Sequence, residues 1–423
     1  GIAGLGTVGV GVVRALTSNA ALISHRTGRF IEITSVSARD KARGRGVPLH
    51  NYAWYDDPVD MAKADDVDIV VELIGGDSGP SKELCETALK NGKSVVTANK
   101  ALIAHHGTAL TRLAEENNTA LRFEGAVAGG IPVIKAISQG LIANRLSRIY
   151  GILNGTCNYI LTSMEDTGRD FGDILTEAQA LGYAEADPTF DVDGTDSAHK
   201  LAILASIAFG TEVNFSGVYT EGIEGILPLD IDYARELGYR IKLLGIATYS
   251  DGGVEQRVHP CLIDKSSPIA LVDGVFNAVV AEGDFIGETM FQGPGAGEGA
   301  TASAVVSDIA DVAQGNFHPA FSAPPDWVRY HPFLTMDEHE GRYYVRLSVK
   351  DEKGVMASIT AILSDEDVSM EALIQRSRLA DDAVTVVMTT HETVEANMKR
   401  ALARLEELDF TIDKPAMIRI EEF

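Results

Sequence analysis

From residue 1 to about residue 124 the chain alternates short apolar runs with amphipathic stretches. The runs Gly1–Ala3, Ile31–Ser37, Val67–Val71, Ser94–Thr97 and Ala120–Phe123 have the length and composition of buried parallel strands. Between them, Val8, Val12, Val13 and Leu16 form one helical stripe. Pro80–Asn91 and Gly107–Asn117 predict two further helices, the first closed by Asn91-Gly92. This α/β alternation predicts a doubly wound sheet over 1–130, with ligands at the carboxyl ends of the strands.

After Gly130 the pattern changes. Helices are predicted over Leu153–Glu165, Asp170–Leu181 and Asp193–Phe209, then strands over Tyr239–Tyr249, Val254–Ile263 and Val275–Ala281. That is an α+β unit over 131–295 whose open sheet suits a dimer surface. The glycine-rich stretch Gly293–Gly315 predicts a small-residue helix from near Glu298 that returns to the first domain, over 296–315. Four prolines between Pro319 and Pro332 mark a linker over 316–342. The tail, 343–423, reads as βαββαβ: Tyr343–Val349, Val355–Leu363, Val368–Ser377, Ala383–His391, Val394–Glu407 and Thr411–Ile420.

The 423 residues suffice for two or three domains. A formal net charge of -25 argues against nucleic acid or an anionic membrane as partner. Cys85, Cys157 and Cys261 are too few and too far apart for a disulfide framework. No apolar run approaches the roughly 20 residues that cross a bilayer, and no signal peptide is visible. A reducing cytoplasm is the expected compartment. The chain opens inside a strand, so a few residues, an initiator Met among them, are expected ahead of Gly1.

The chemistry starts at "GIAGLGTVG". Gly4, Gly6 and Gly9 have dinucleotide-turn spacing: one glycine for the turn, one for the approach of a pyrophosphate, one for helix–strand packing. The following helix N-terminus supplies N–H groups to the anion. The predicted domain is therefore Rossmann-like. The second strand ends at Ser37-Ala38-Arg39, and the Arg39 fork favours a 2′-phosphate, hence NADP over NAD. Thr97 ends the fourth strand at the ligand edge, with Lys100 one turn later as a catalytic or orienting candidate. In "FEGAVAGGIPVI", Glu124 and the irregular carbonyls after it could bind a hard cation or simply make hydrogen bonds. In "GYAEADPTFDVDGTDSAHKLAIL", Glu185 and Asp187 occupy a loop and Asp193 can cap the next helix. Asp196 and Lys200 share a face of that helix. Its apolar neighbours Leu201, Leu204 and Ala205 place Lys200 near a buried region, where it suits proton transfer.

Taken together, "GLGTVG", "VVTANK", "FEGAVAGGIP", "GILNGTCNYIL", "GYAEADPTFDVDGTDSAHKLAIL" and Asp351-x-x-Gly354-Val355 resemble homoserine dehydrogenase, in the form with a C-terminal ferredoxin-like ACT domain. The resemblance implies NAD(P)-dependent interconversion of homoserine and aspartate 4-semialdehyde in threonine, methionine and isoleucine biosynthesis. It implies that Lys200 is the acid/base group, that Lys100 lies beside the reacting group and nicotinamide, and that Glu185 and Asp196 hold the substrate. Thr7, Val8, Gly182 and Gly297 would line the cofactor. Glu124, Val127, Gly129 and Ile131 match the family's sodium site. The tail would bind an amino-acid effector, threonine by family habit, within a homodimer or homotetramer.

Two other readings compete. A phosphorylating semialdehyde dehydrogenase would use Cys157 as nucleophile, although no histidine has an obvious pairing motif. A non-catalytic amino-acid sensor would have no use for Asp196, Lys200 and Lys100. Fusion to an aspartate kinase would require a long segment ahead of Gly1.

Overall fold

The computed structural model describes residues 1–375 and 383–423. Six short strands, β1 (Ile2–Ala3), β2 (Ser35–Ser37), β3 (Ala53–Tyr55), β4 (Ile69–Glu72), β5 (Ser94–Thr97) and β6 (Leu121–Arg122), form one parallel sheet. Their order is β3-β2-β1-β4-β5-β6. The order reverses between β1 and β4, which opens a crevice at the glycine turn. The helix Glu298–Gln314 packs on Thr7–Ser18. Gly11 permits the contact: a Cβ there would lie 2.8 Å from Glu298 Cγ and 3.0 Å from Ala302 Cβ.

The sequence misplaced several boundaries here. Only Ser35–Ser37 of the expected Ile31–Ser37 is strand, and β3 was not foreseen. β3 is a half-exposed edge strand of only three residues, Ala53, Trp54 and Tyr55. The helix expected at Gly107 starts at Lys100, capped by the Asn99 side chain, which accepts from Leu102 N–H at 3.2 Å. The cap of Thr195–Phe209 is Gly194 rather than Asp193. Gly194 has φ +88°, and Asp193 Oδ1 accepts from Thr195 N–H just outside the helix.

The larger sheet holds β7 (Leu146–Ile152), β8 (Tyr219–Thr220), β9 (Tyr239–Ser250), β10 (Gly253–Asp264), β11 (Phe276–Gly283) and β12 (Gly287–Pro294). The tail adds β13 (Glu340–Lys350), β14 (Met370–Gln375), β15 (Ala383–Thr390), β16 (Thr393–Val394) and β17 (Ala416–Glu421). Arg376 and Ser377, expected in the tail's second strand, lie outside the described residues. The main path is β12-β11-β7-β9-β10-β17-β13-β15-β14. The join is β10 with β17, paired in parallel at Cys261↔Arg419, Leu262↔Ile420 and Ile263↔Glu421.

The tail is therefore not a unit hung on a linker. It extends the substrate-domain sheet, and its first strand begins at Glu340, inside the expected linker. Burial accompanies the join. Arg257 Nη2 donates to both oxygens of Glu421 at 3.0 Å, and Arg346 Nε donates to Asp230 Oδ1 at 2.6 Å. The tail keeps its own apolar core around Tyr343, Val345, Ile359 and Val386.

Candidate active site

At the crevice the three glycines differ in the space around them. Gly4 has φ +96°, and a Cβ on it would come within 2.3 Å of the Leu73 carbonyl oxygen. A Cβ on Gly9 would reach 2.0 Å from the Gly4 carbonyl oxygen, whereas Gly6 faces open space. No side chain caps the helix Thr7–Ser18. The N–H groups of Thr7, Val8 and Gly9 thus begin the helix without partners inside it, beside the space left at Gly6.

Arg39 is exposed just beyond β2. The following loop is tied to the glycine turn by Arg45, whose Nε donates to the Leu5 carbonyl at 3.3 Å and Nη2 to Asp40 carbonyl at 2.6 Å. Lys41 and Arg45 both lie 5.7 Å from the Trp54 ring centroid. The "RDKARGR" run thus gathers cations near Arg39, a signal the sequence reading used only at its first residue. Gly182 and Gly297 are exposed, with φ +78° and +114° and open space beside them.

Thr97 differs from expectation. Its hydroxyl is fully buried, donates to Glu72 Oε2 at 2.6 Å and accepts from Asn99 N–H at 2.9 Å. Glu72 also accepts from the N–H groups of Ile74 and Gly75. Thr97 thus ties the ends of β4 and β5 together through its hydroxyl.

The lysines converge. Lys200 Nζ donates to Asp196 Oδ2 at 2.6 Å and to the Leu153 carbonyl at 2.7 Å. Lys100 crosses from the first domain to lie 3.0 Å from Asp196 Oδ1. Asp196 therefore holds two lysines from two domains on its two oxygens. Burial opposes its charge, but the two ammonium groups and their hydrogen bonds outweigh that and hold it far below the usual carboxylate range. Burial likewise works against the Lys100 ammonium, yet Asp196, Asp191 and Glu185 together keep its pKa above the ordinary value. Glu185 is exposed in its loop, held through its carbonyl by Gln179 Nε2 at 3.0 Å.

Two neighbours escaped the sequence reading. Asn154 Nδ2 donates to Asp191 Oδ1 at 2.9 Å and to Asp196 Oδ2 at 2.8 Å. Asp191 is pushed up by burial, with Asp196 adding to the effect and the Asn154 hydrogen bond opposing it. Both residues stand in stretches already singled out, "NGTCNY" and "DVDGTD", but only packing shows that they meet. Beside them His199 stacks on Phe215, centroids 4.1 Å apart, and is lowered to about 4 by burial and by His105. Cys157 lacks the exposure that a nucleophilic thiolate needs. It is fully buried, donates to the Asp191 carbonyl, and burial pushes its thiol far up.

Just past the carboxyl end of β6 Glu124 is buried, its two carboxylate oxygens accepting from Ile134 N–H at 2.9 Å and Lys135 N–H at 3.0 Å. Burial and Asp308 push it up to about 7. Val127 and Ile131 are buried in the turn that follows, where Ala128 and Gly129 take φ +51° and +21°.

Residues 132–310 match the family model described as homoserine dehydrogenase, 4–124 its NAD binding domain, and 343–410 the ACT domain. A homoserine dehydrogenase of Neisseria gonorrhoeae is 48% identical over 428 residues, covering 100% of this chain and 98% of that one. That of Pseudomonas aeruginosa is 46% identical over 432 residues, with the same coverage. The crystal structure of a homoserine dehydrogenase from Thiobacillus denitrificans superposes with TM-score 0.93 at 45% identity, covering 100% of this chain and 97% of its own. A hyperthermophilic archaeal homoserine dehydrogenase in complex with NADPH superposes with TM-score 0.65 at 28% identity, covering 75% of this chain and 98% of that one.

Proposed function

The chain belongs to the homoserine dehydrogenase family and is an NAD(P)-dependent oxidoreductase interconverting homoserine and aspartate 4-semialdehyde, and on that premise we propose that Lys200 moves the proton. One observation carries the reading: Asp196 grips Lys200 and Lys100 together at the domain boundary. The nicotinamide, when bound, supplies or accepts the hydride. An ammonium has three N–H donors. Two of Lys200's are engaged by Asp196 and Leu153, which leaves the third for the substrate oxygen. In reduction Lys200 gives that proton to the oxygen as hydride reaches the carbon; in oxidation it takes the proton back. Lys100, beside it, stabilises negative charge on the same oxygen. Glu185 offers a carboxylate to the substrate ammonium, and Asp191 takes the place expected of Asp196, whose two oxygens are occupied by Lys100 and Lys200. Loss of homoserine-dependent NADP reduction in Lys200→Ala tests the assignment.

For the cofactor we propose a preference for NADP, with the Arg39 fork on the 2′-phosphate. Arg39→Asp is expected to move the NADP/NAD ratio of kcat/KM toward NAD by about tenfold, the scale of one lost charge-assisted contact. An unchanged ratio would make Arg39 an ordinary surface residue.

Glu124 with the carbonyls of Val127, Gly129 and Ile131 is an all-oxygen donor set, suited to sodium. Two backbone N–H groups fix the Glu124 carboxylate, and a cation would neutralise its buried charge. The role is structural: it would brace the turn joining the domains. A melting temperature higher in sodium chloride than in choline chloride is the expected result; identical melting removes the ion.

The tail supports regulation by an amino acid, with threonine as the proposed effector, in a homodimer or homotetramer. Gly354, at φ +91° with open space beside it, begins the helix Val355–Asp365 and leaves N–H groups for a carboxylate. Titration of the full chain with threonine, followed by initial rate and light-scattering mass, tests effector and assembly together. No change in rate would remove threonine, and a monomer mass would remove the assembly.

A further inference from the structure

Lys200 is held by a carbonyl as well as by a carboxylate, and that carbonyl is itself held. Leu153 lies where the chain leaves β7 for the helix Gly155–Thr167. Its carbonyl oxygen accepts from Lys200 Nζ at 2.7 Å and from Asn277 Nδ2 at 3.0 Å. The register explains the second contact. β11 pairs with β7 at Ala278↔Ile152, so Asn277 stands opposite Leu153, one step beyond the ladder. There the side-chain amide reaches the Leu153 carbonyl.

The surroundings are built around this amide. Asn277 is 1% exposed. A Cβ on Gly295 would fall within 2.1 Å of its side chain, and one on Gly155 within 3.4 Å of Oδ1. Two glycines thus leave it room. Its Oδ1 is buried with no hydrogen-bond partner among the described residues. An unmet buried acceptor is costly, so an apolar side chain of similar shape would serve packing better. Turning the amide over would set two oxygens 3.0 Å apart, which fixes the donor toward Leu153.

We infer that Asn277 is a positioning residue for the dehydrogenase reaction: its amide fixes the Leu153 carbonyl, which aims the Lys200 ammonium at the substrate oxygen. The inference rests on Lys200 as the proton-transfer group. Without the amide the carbonyl, at a strand end with no ladder partner there, can turn, and the ammonium is left on Asp196 alone. Misaiming a proton donor slows the chemical step and leaves substrate and cofactor binding nearly untouched.

The test uses Asn277→Leu, which keeps the shape and deletes the donor, and Asn277→Asp, which keeps the size and turns an oxygen on Leu153. Both are measured in the full chain beside Lys200→Ala. The expected result for whichever variant folds is kcat lowered about tenfold, with KM for homoserine and for NADP within about twofold of wild type. The solvent deuterium isotope effect on kcat should also rise, a change that a packing defect does not produce. Wild-type kcat and isotope effect in the Asn277 variants, with Lys200→Ala inactive, would overturn this inference alone. An active Lys200→Ala would overturn it together with the proton-transfer reading.

Discussion

Arg419→Ala lowers the melting temperature of the full chain sharply, with a loss of about 3–5 kcal/mol in the transition that includes the tail. Arg419 is 1% exposed in β17, at the join between tail and substrate domain. Its Nε donates to Glu395 Oε2 at 3.0 Å, Nη1 to Glu221 Oε2 at 2.8 Å and Nη2 to the Tyr219 hydroxyl at 3.0 Å. Burial disfavours its charge, yet Glu395 and Glu221 raise its pKa further above the arginine range. The deletion leaves Glu395, itself fully buried, as a carboxylate without its main counter-charge. That uncompensated charge, rather than the lost contact area, sets the size of the effect. Differential scanning calorimetry of wild type and variant measures it, and a transition unchanged within about a degree would mean that the join contributes little to stability.

Deletion of everything beyond Pro332 is consequently a harsher operation than the proline-rich segment suggests. It would strip β17 from β10 and leave a sheet edge with unpaired N–H and carbonyl groups. It would also take Glu421 from Arg257 and Arg346 from Asp230. Regulation by the tail is therefore better probed in the full chain than by truncation.

The join was hidden in the sequence for a physical reason. In "AMIRIEEF" the charges at Arg419 and Glu421 alternate with Ile418 and Ile420, which reads as a strand with one wet face. That face is buried because Glu395, Glu221 and Arg257 arrive from elsewhere to neutralise it. Periodicity reports which side of a strand is polar, not what will stand against it. The glycine turn was legible because Gly4 and Gly9 each sit where a Cβ would run into backbone, and that demand is local. The Asp196–Lys200 pair was legible for the same reason, as a spacing within one helix. Asn154, Asp191, Asn277 and the Leu153 carbonyl reach the site through tertiary packing, and no local pattern marks them. Thr97 shows the converse: its place in the chain was right, but β4 brings Glu72 beside it and turns the hydroxyl inward.

The central claim is that Lys200, aimed by Asp196 and Leu153, carries the proton while the cofactor carries the hydride. Lys200→Ala is its most direct test, because the side chain is nearly buried and, among the described residues, no other ammonium shares both of its partners. Asp196 would keep Lys100 on its other oxygen, so the pocket stays charged and folded. A general acid/base contributes roughly 10²–10⁴-fold, so kcat should fall at least about 100-fold in both directions. The NADPH dissociation constant should stay within about twofold, since Lys200 lies in the helix Thr195–Phe209 and the glycine turn in the other domain. The deciding measurement is kcat for homoserine oxidation by Lys200→Ala, taken beside its NADPH binding isotherm. A 100-fold loss with unchanged binding is the predicted result, and wild-type turnover would contradict the account.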